Sequence, residues 1–368
     1  MNKKKVIFIK TNLLDIDPRL HKEMEALKRD GYSITLVCWE RESRIKNVEP
    51  ADYDEIRLRF KAPIGTKIIF FLPVWWCFVI FKLMLVDWDI VHAINFDSLI
   101  PSLIVSKLKK RPIIYEIFDV YADIRILPPP MRWIGINIEK LFMHLANIVI
   151  IANEAQPVEL NGIPNKNVIG IYNSPPDVFT GFNKIKQDKF ILFFAGSLQS
   201  DRHTNIDKVY KAILEMDDVK LILAGYGDKA KEFQVLSISN PNKLEFLGII
   251  SYSEVLRRTL SCDLIFALYD PRVPGIRYAC GNKLFEAMMA GKPYLVSKGT
   301  EMAKVVVQEE CGLTVDCNSI PDIKAAINKL KENSELCKIL GSNGRKAYER
   351  KYNWKIMEDR LLKAYESL

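Results

Sequence analysis

Strand-like and helix-like segments alternate from the start of the chain, stop at one polar stretch, and then alternate again. "KVIFIK" leads into "DPRLHKEMEALKRDGY" and then "SITLVCW", with Asp17 a plausible N-cap, Pro18 the first helical residue and Gly31 the stop. Further strands are expected at "DEIRLRF", "DIVHAI", "PIIYEIF", "NIVIIAN" and "NVIGIY". Parallel strands can be joined only by crossovers, so this pattern calls for parallel sheets covered by helices. The interruption is "NSPPDVFTGFNKIKQDK", Asn173 to Lys189, which holds two prolines and has no periodicity. After it come "FILFFAGS", "VKLILAGYG", "LEFLGII", "CDLIFALY", "KPYLVS" and "CGLTVD", each separated by a helical pattern. At 368 residues the chain exceeds the size at which a single core keeps growing. Two doubly wound domains are expected, 1–172 and 190–351, with 173–189 as the linker. The amphipathic end, 352–368, should return to the first domain.

Composition narrows the partners. A net charge of +8 favours anions such as sugar nucleotides, lipid phosphates and anionic membrane, without pointing to nucleic acid. The seven cysteines form no CxxC pair and the four histidines form no ligand-like pair, which argues against structural zinc and fits a reducing cytoplasm. "MNKKKVIFIKTN" carries too short an apolar run for a signal peptide and reads as a first strand.

The most apolar segment is "IIFFLPVWWCFVIFKLMLV", Ile68 to Val86. It approaches the length that spans a bilayer, but it lies between two strands of one sheet, and a domain cannot thread its own sheet through lipid. It is either a covering helix or a helix lying in the membrane interface, with Trp75, Trp76 and the phenylalanines among headgroups and "KLKKRP" (107–112) supplying attraction. The interface reading is preferred because a covering helix should show a polar side.

"YACGNKLFEAMMAGKPYLVS", Tyr278 to Ser297, reads as a loop, a helix from Lys283 to Ala290, an αL stop at Gly291 and a strand. A helix entered this way aims backbone N–H groups at whatever precedes it, which suits a phosphate. Glu286, one turn in, is placed to accept hydrogen bonds from ribose hydroxyls. "AGYGD" supplies Gly225 and Gly227 at a strand's carboxyl end, where backbone can approach a ligand, and "AGSLQSDRH" supplies Gly196, Ser197 and Arg202 in the same way. Each loop alone is equally compatible with an ordinary turn. "DWD" (87–89) precedes its strand, at the wrong edge for a ligand, and its aspartates read as turn residues. In the first half, "HAINFDSL" offers His92, Asn95 and Asp97, and "YEIFDVYAD" offers Glu116, Asp119 and Asp123.

In this order the motifs resemble the retaining glycosyltransferases of family 4, over essentially the whole chain. "NKLFEAMMAGKP" followed by "ECGLTVD" is the most specific part, and it points to the "NKLFE" branch. The resemblance implies the GT-B fold, two facing Rossmann-like domains with a C-terminal crossover helix. It makes Glu286 the ribose-binding carboxylate, places Gly196 in the loop near the diphosphate and Leu247 and Gly248 near the base, and puts Arg202 where the family usually has Lys. Three positions depart from the pattern: Tyr278 stands where a second Glu is frequent, Ser197 where an Arg is common, and Phe118 where a His is frequent.

The expectation is sugar transfer from a UDP- or GDP-linked donor to a lipid-linked or membrane-proximal acceptor, in cell-surface glycan or glycolipid synthesis, by a protein peripheral on the inner face of the cell membrane. No metal and no further cofactor are expected. Arg202, Lys283 and the amides opening the helix would offset charge on the leaving diphosphate. Asn282, Leu284, Gly225 and Gly227 complete the expected donor set. Arg19, His92, Asp97, Glu116 and Asp119 are the acceptor-side candidates, and Asp119 is with Arg202 and Lys283 a candidate catalytic group. A sugar-nucleotide epimerase and a non-catalytic partner subunit are the alternatives; the scarcity of histidines in the second half argues against the first, and the presence of Glu286 and Arg202 against the second.

Overall fold

Residues 4–11, 18–41, 53–63, 66–124, 127–179, 188–200 and 204–368 are described in a computed structural model, and within them the strand-like segments form two separate sheets. Two compact units result, Met1–Tyr172 together with Met357–Leu368, and Asn173–Ile356.

The first unit runs β1 (Lys5–Lys10), α1 (Pro18–Arg29), β2 (Ser33–Glu40), β3 (Asp54–Arg59), α2 (Leu72–Leu85), β4 (Ile90–Ile94), α3 (Phe96–Lys109), β5 (Ile113–Ile117), α4 (Tyr121–Ile124), α5 (Pro129–Met143), β6 (Ile148–Ile151), α6 (Gln156–Glu159) and β7 (Val168–Gly170). All seven strands are parallel, in the order β3-β2-β1-β4-β5-β6-β7. The order reverses between β1 and β4, which opens a crevice at the carboxyl ends of those strands. Pro18 begins α1 and Gly31, at φ 97°, ends its turn, while the expected cap Asp17 lies outside the described residues.

One face of this sheet carries a continuous apolar core in which alternate strand residues, such as Val91, Ala93, Tyr115 and Ile117, pack beneath α2, α3 and α5. Helix α2 follows a 3-10 segment, Thr66–Phe71, and Pro73 sits in its first turn, where a missing N–H costs nothing. Its inner row is Leu72, Trp75, Val79 and Leu83. This corrects the expectation for one residue. Trp75 is fully buried, stacked on Trp39 at 5.8 Å, and is not available to headgroups, while half-buried Trp76 donates its indole N–H to the Asp97 carbonyl at 2.9 Å. Both sides of α2 are apolar, and the larger rings fill the space over the sheet.

The second unit runs β8 (Phe190–Ser197), α7 (Ile206–Leu214), β9 (Val219–Tyr226), α8 (Ala230–Ser239), β10 (Leu244–Phe246), α9 (Tyr252–Ser261), β11 (Leu264–Ala267), α10 (Pro274–Tyr278), α11 (Asn282–Met289), β12 (Tyr294–Ser297), α12 (Glu301–Gln308), β13 (Gly312–Val315), α13 (Ile320–Glu332) and α14 (Ser334–Ala347). Its six parallel strands lie in the order β10-β9-β8-β11-β12-β13, with the reversal between β8 and β11. The start of the polar stretch is anchored here. Arg345 holds the Asp177 carboxylate through two N–H groups at 2.9 and 2.6 Å, and the Tyr348 hydroxyl donates to the Pro175 carbonyl at 2.9 Å. Residues 180–187 of the expected linker lie outside the described residues.

The last helix, α15 (Trp354–Glu366), passes from one unit to the other. From Met357 it belongs to the first unit, burying Met357, Leu361 and Tyr365, and Arg360 donates to the Gly170 carbonyl at 2.9 Å.

Candidate functional site

In the second unit the glycine loops expected at the donor site converge at the carboxyl ends of β8, β9 and β10. Gly196 pairs with Gly225 in register, and the Gly225 N–H donates to the Gly248 carbonyl at 2.7 Å. These strands approach so closely that a Cβ on Gly225 would lie 1.8 Å from the Gly196 carbonyl oxygen, and one on Gly227 would lie 2.5 Å from the Leu198 carbonyl carbon. With φ at 145° and 149°, both positions require glycine on conformational grounds as well. Leu247 continues β10, its N–H donating to Leu223 at 2.9 Å. Ser197 ends β8 with its hydroxyl buried and no hydrogen-bond partner among the described residues.

Helix α11 opens at this crevice. Gly281 is its N-cap and no side chain caps it, so its first turn presents amide hydrogens and the positive end of the helix dipole. Lys283 folds back over the switch point. Its Nζ lies 4.5 Å from the Phe194 ring centroid and 3.3 Å from the Tyr269 hydroxyl, and it stands 2.9 Å from where a Gly196 Cβ would be. An ammonium, a helix amino end and a glycine-lined approach are thus brought together at one strand edge. Asn282 starts the helix beside them. Leu284, expected in the donor set, is fully buried and its N–H is taken by the Gly281 carbonyl at 3.2 Å, so it packs the helix instead of touching a ligand. Glu286 is 5% exposed, and the Tyr252 hydroxyl hydrogen-bonds its carboxylate. Burial, then the Glu286 charge, push the Tyr252 pKa above the usual tyrosine value. The sequence gave no sign of Tyr252's role, although Ser251 and Glu254 mark the start of its helix. Arg202 lies outside the described residues.

The acceptor-side candidates of the first unit divide sharply. Arg19, His92 and Glu116 are closed off beneath α1 and α15, on the sheet face opposite the apolar core. Arg19 Nε donates to Glu116 at 2.9 Å and lies 3.0 Å from Glu23, while His92 Nε2 lies 3.0 Å from the second Glu116 oxygen. His92 Nδ1 meets the Tyr365 hydroxyl at 2.6 Å, and Phe8 stacks on the imidazole at 4.6 Å. Burial alone would raise the Glu116 carboxyl, but the Arg19 guanidinium and the His92 and Glu23 contacts outweigh it and hold it down to about 2. Glu23, His92 and Glu116 have the spacing of a metal-ligand set, yet the positive charge between the two carboxylates is already supplied by Arg19. These residues therefore weld α1 and α15 to the sheet and do not reach an acceptor. Asp97 is also enclosed, accepting from the Thr11 hydroxyl at 2.8 Å.

Asp119 alone of this set is exposed, just beyond β5. The Asn95 side-chain oxygen, at the end of β4, accepts from the Phe118 and Asp119 amides at 3.0 and 3.5 Å and so ties the two strand ends together. Nearby, Arg132 grips Asp123 at 2.6 and 2.8 Å, and the buried Glu159 carboxyl hydrogen-bonds Asp123. Burial, then the contact with Asp123, push the Glu159 carboxyl up to about 10. Asp87 and Asp89, before β4, bind Lys5 through its side chain and backbone at 2.8 and 2.7 Å.

Residues 179–347 match the family described as Glycosyl transferases group 1. That stretch lies within the second unit. An uncharacterized glycosyltransferase of Methanocaldococcus jannaschii is 29% identical over 165 residues, 44% of this chain and 44% of that protein. The capsular polysaccharide biosynthesis glycosyltransferase CapM of Staphylococcus aureus is 24% identical over 192 residues, 50% of this chain and 48% of that protein. The chain spans about half the length of the curated relatives it matches. The crystal structure of Anabaena HepE in complex with UDP covers 99% of this chain and 100% of its own, with a TM-score of 0.71 at 16% identity. The fold is accordingly GT-B, built from two parallel-sheet α/β units. The matched stretch contains Gly196, Gly225, Gly227, Gly248, Lys283 and Glu286.

Proposed function

We propose that this chain is a retaining, metal-independent glycosyltransferase that takes a sugar from a UDP- or GDP-linked donor held on the group 1 domain and passes it to a lipid-linked or other membrane-proximal acceptor, peripherally at the inner face of the cell membrane. The observation that carries the reading is the Lys283 ammonium set over Gly196 at the sheet's switch point, beside the uncapped end of α11. As the glycosidic bond breaks, negative charge grows on the diphosphate. A fixed ammonium and a helix amino end stabilise that charge more in the transition state than in the bound donor. Arg202 would add a second cation, and no divalent ion is then required for charge balance. Glu286, held by Tyr252, accepts from the ribose hydroxyls, and Asp119 is the acceptor-side carboxylate open to substrate. The relation to CapM supports cell-surface glycan synthesis, and the UDP complex of HepE supports a nucleotide donor.

The test is calorimetric titration of UDP- and GDP-sugars into wild type, Lys283→Ala and Glu286→Ala. A charged hydrogen bond contributes about 1.5–3 kcal/mol, so each variant should bind the preferred donor about ten- to a hundredfold more weakly. Absence of binding by the wild type, or equal binding by both variants, overturns the assignment.

A further inference from the structure

The helices α2, α3 and α5 lie side by side over one face of the first sheet, α3 packing against both of the others. Their outer surfaces are apolar in a way the fold does not require. On α2, Val74, Phe81 and Leu85 are 40%, 58% and 67% exposed, and on α3 Ile104 and Leu108 point outward one turn apart. On α5 the stripe Ile134, Ile138, Leu141 and Leu145 follows a helical repeat along the solvent side, with Trp133 beside it at 66% exposure. A helix whose exposed row is as apolar as its buried row has a second apolar phase to meet.

Charge decides which phase. The only acidic residues on the three helices are Asp97 and Glu139, and both are buried, while exposed Asp87, just past the end of α2, is neutralised by Lys5 and Arg111 at 2.8 and 3.2 Å. Basic groups gather at one end of it. Lys107 donates to the Leu145 carbonyl at 2.8 Å and Lys109 to the Met84 carbonyl at 3.1 Å, which sets the end of α3 between the ends of α2 and α5, with Lys110 following, whereas Arg111 is held by Asp87 and the Trp88 carbonyl. Lys82 lies along α2 with its ammonium 5.6 Å from the Phe81 ring, its stem covering apolar surface. A protein partner needs no such exclusion of acid, whereas an anionic bilayer selects for it.

We infer that the outer surface of α2, α3 and α5 docks flat on an anionic lipid bilayer, the apolar rows entering the acyl boundary and the Lys107, Lys109 and Lys110 collar meeting lipid phosphates. The segment Lys67–Leu85 is long and apolar enough to span a membrane, with mean hydropathy 2.3. It does not span in this fold, because Trp75, Val79 and Leu83 are wholly buried against the sheet. Trp133 occupies the headgroup level, where indoles concentrate. The inference deepens the reading of a membrane-proximal acceptor and rests on it for its purpose. Its test is run without donor or acceptor, so that either can fail alone.

The full chain is floated with vesicles of phosphatidylcholine and of phosphatidylcholine mixed with phosphatidylglycerol. Wild type is expected to float with the mixed vesicles, to stay mostly free with phosphatidylcholine alone, and to release as salt is raised. Phe81→Ser with Leu141→Ser should lower the bound fraction at least tenfold, while the melting temperature and donor titration stay as in wild type. Lys107→Glu with Lys110→Glu should abolish the preference for anionic vesicles. The inference is overturned if wild type does not float, or if the serine variant floats equally well. It is overturned in favour of a contact between copies if wild type ignores vesicles and instead dimerises in a way the serine variant does not.

Discussion

Glu159→Gln should make the first unit more stable at neutral pH and less sensitive to pH. Glu159 sits on α6, 7% exposed, with its carboxyl held up to about 10 by burial and by Asp123, and only partly relieved by Arg132. Its folded pKa is raised above the unfolded value of 4.5, so its contribution is complete below 4.5 and is lost as pH rises through 10. Within that window the unfolded chain releases a proton that the folded chain keeps. Each pH unit therefore costs about 1.4 kcal/mol, and at pH 7 the accumulated loss is about 3 kcal/mol. Glutamine keeps a neutral N–H donor toward Asp123 and has nothing to ionise. The variant should match wild type within about 1 kcal/mol near pH 5 and exceed it by about 3 kcal/mol near pH 7. Urea unfolding followed by tryptophan emission reads this unit selectively, since five of the six tryptophans, Trp39, Trp75, Trp76, Trp88 and Trp133, lie within it. If the two proteins show parallel stability curves across that range, Glu159 does not keep its proton in the folded chain. A variant less stable throughout would mean that Glu159 is ionised and pairs directly with a cation.

Gly225→Ala should disrupt the second unit, because the new Cβ would fall 1.8 Å from the Gly196 carbonyl oxygen at a φ of 145°. A loss of at least about 2–3 kcal/mol in chemical denaturation is expected, together with loss of donor binding, and a variant as stable as wild type would refute the close approach. Arg19→Met should remove the cation between Glu23 and Glu116, leaving two buried carboxylates facing each other, at a cost of about 3–5 kcal/mol. Thermal melts monitored by circular dichroism check it, and a change below about 1 kcal/mol would show that the carboxylates find another partner.

The parallel character of both sheets and their division into two units follow from features visible in the amino-acid string, because βα alternation calls for crossovers and the polar stretch at 173–189 separates the two runs. The glycine-lined strand ends were equally legible, since Gly196, Gly225 and Gly227 each lie where a strand ends at its carboxyl edge. The direction of Lys283 was not. A lysine in the second position of a helix can reach solvent as readily as a ligand, and it is the aromatic floor of Phe194 on β8 and Tyr269 in the loop after β11 that fixes it. His92 and Glu116 were misread for a related reason. A polar residue near a strand end reads as a site unless its partner is known, and the partner of Glu116 is Arg19, 97 residues away on α1. The orientation of α2 was hidden because both of its faces are apolar, so no moment distinguishes Trp75, which is buried, from Phe81, which is exposed. The outward stripe on α5 passed unnoticed for the same reason, Ile136 and Met143 on its inner side matching Ile138 and Leu141 on its outer side.

The two units fold on the same plan and yet treat charge and apolar surface differently, and that difference bears on function. The second unit's exposed apolar side chains, among them Ile238, Ile249, Val307 and Ile339, are scattered over α8, a loop, α12 and α14, as on any water-facing surface. The first unit encloses Arg19, Glu23, His92, Asp97, Glu116 and Glu139, while it sets Phe81, Leu108, Trp133 and Leu141 outward on three neighbouring helices. A parallel sheet with covering helices does not need this arrangement, since the second unit is built without it. Enclosed charges cost stability that apolar packing would not, and a ridge of exposed aromatic and aliphatic groups invites aggregation. Both features become consistent if one side of the first unit meets lipid. The buried network then fixes α1 and α15 to one face of the sheet while the apolar helices on the other face are left free to enter a membrane.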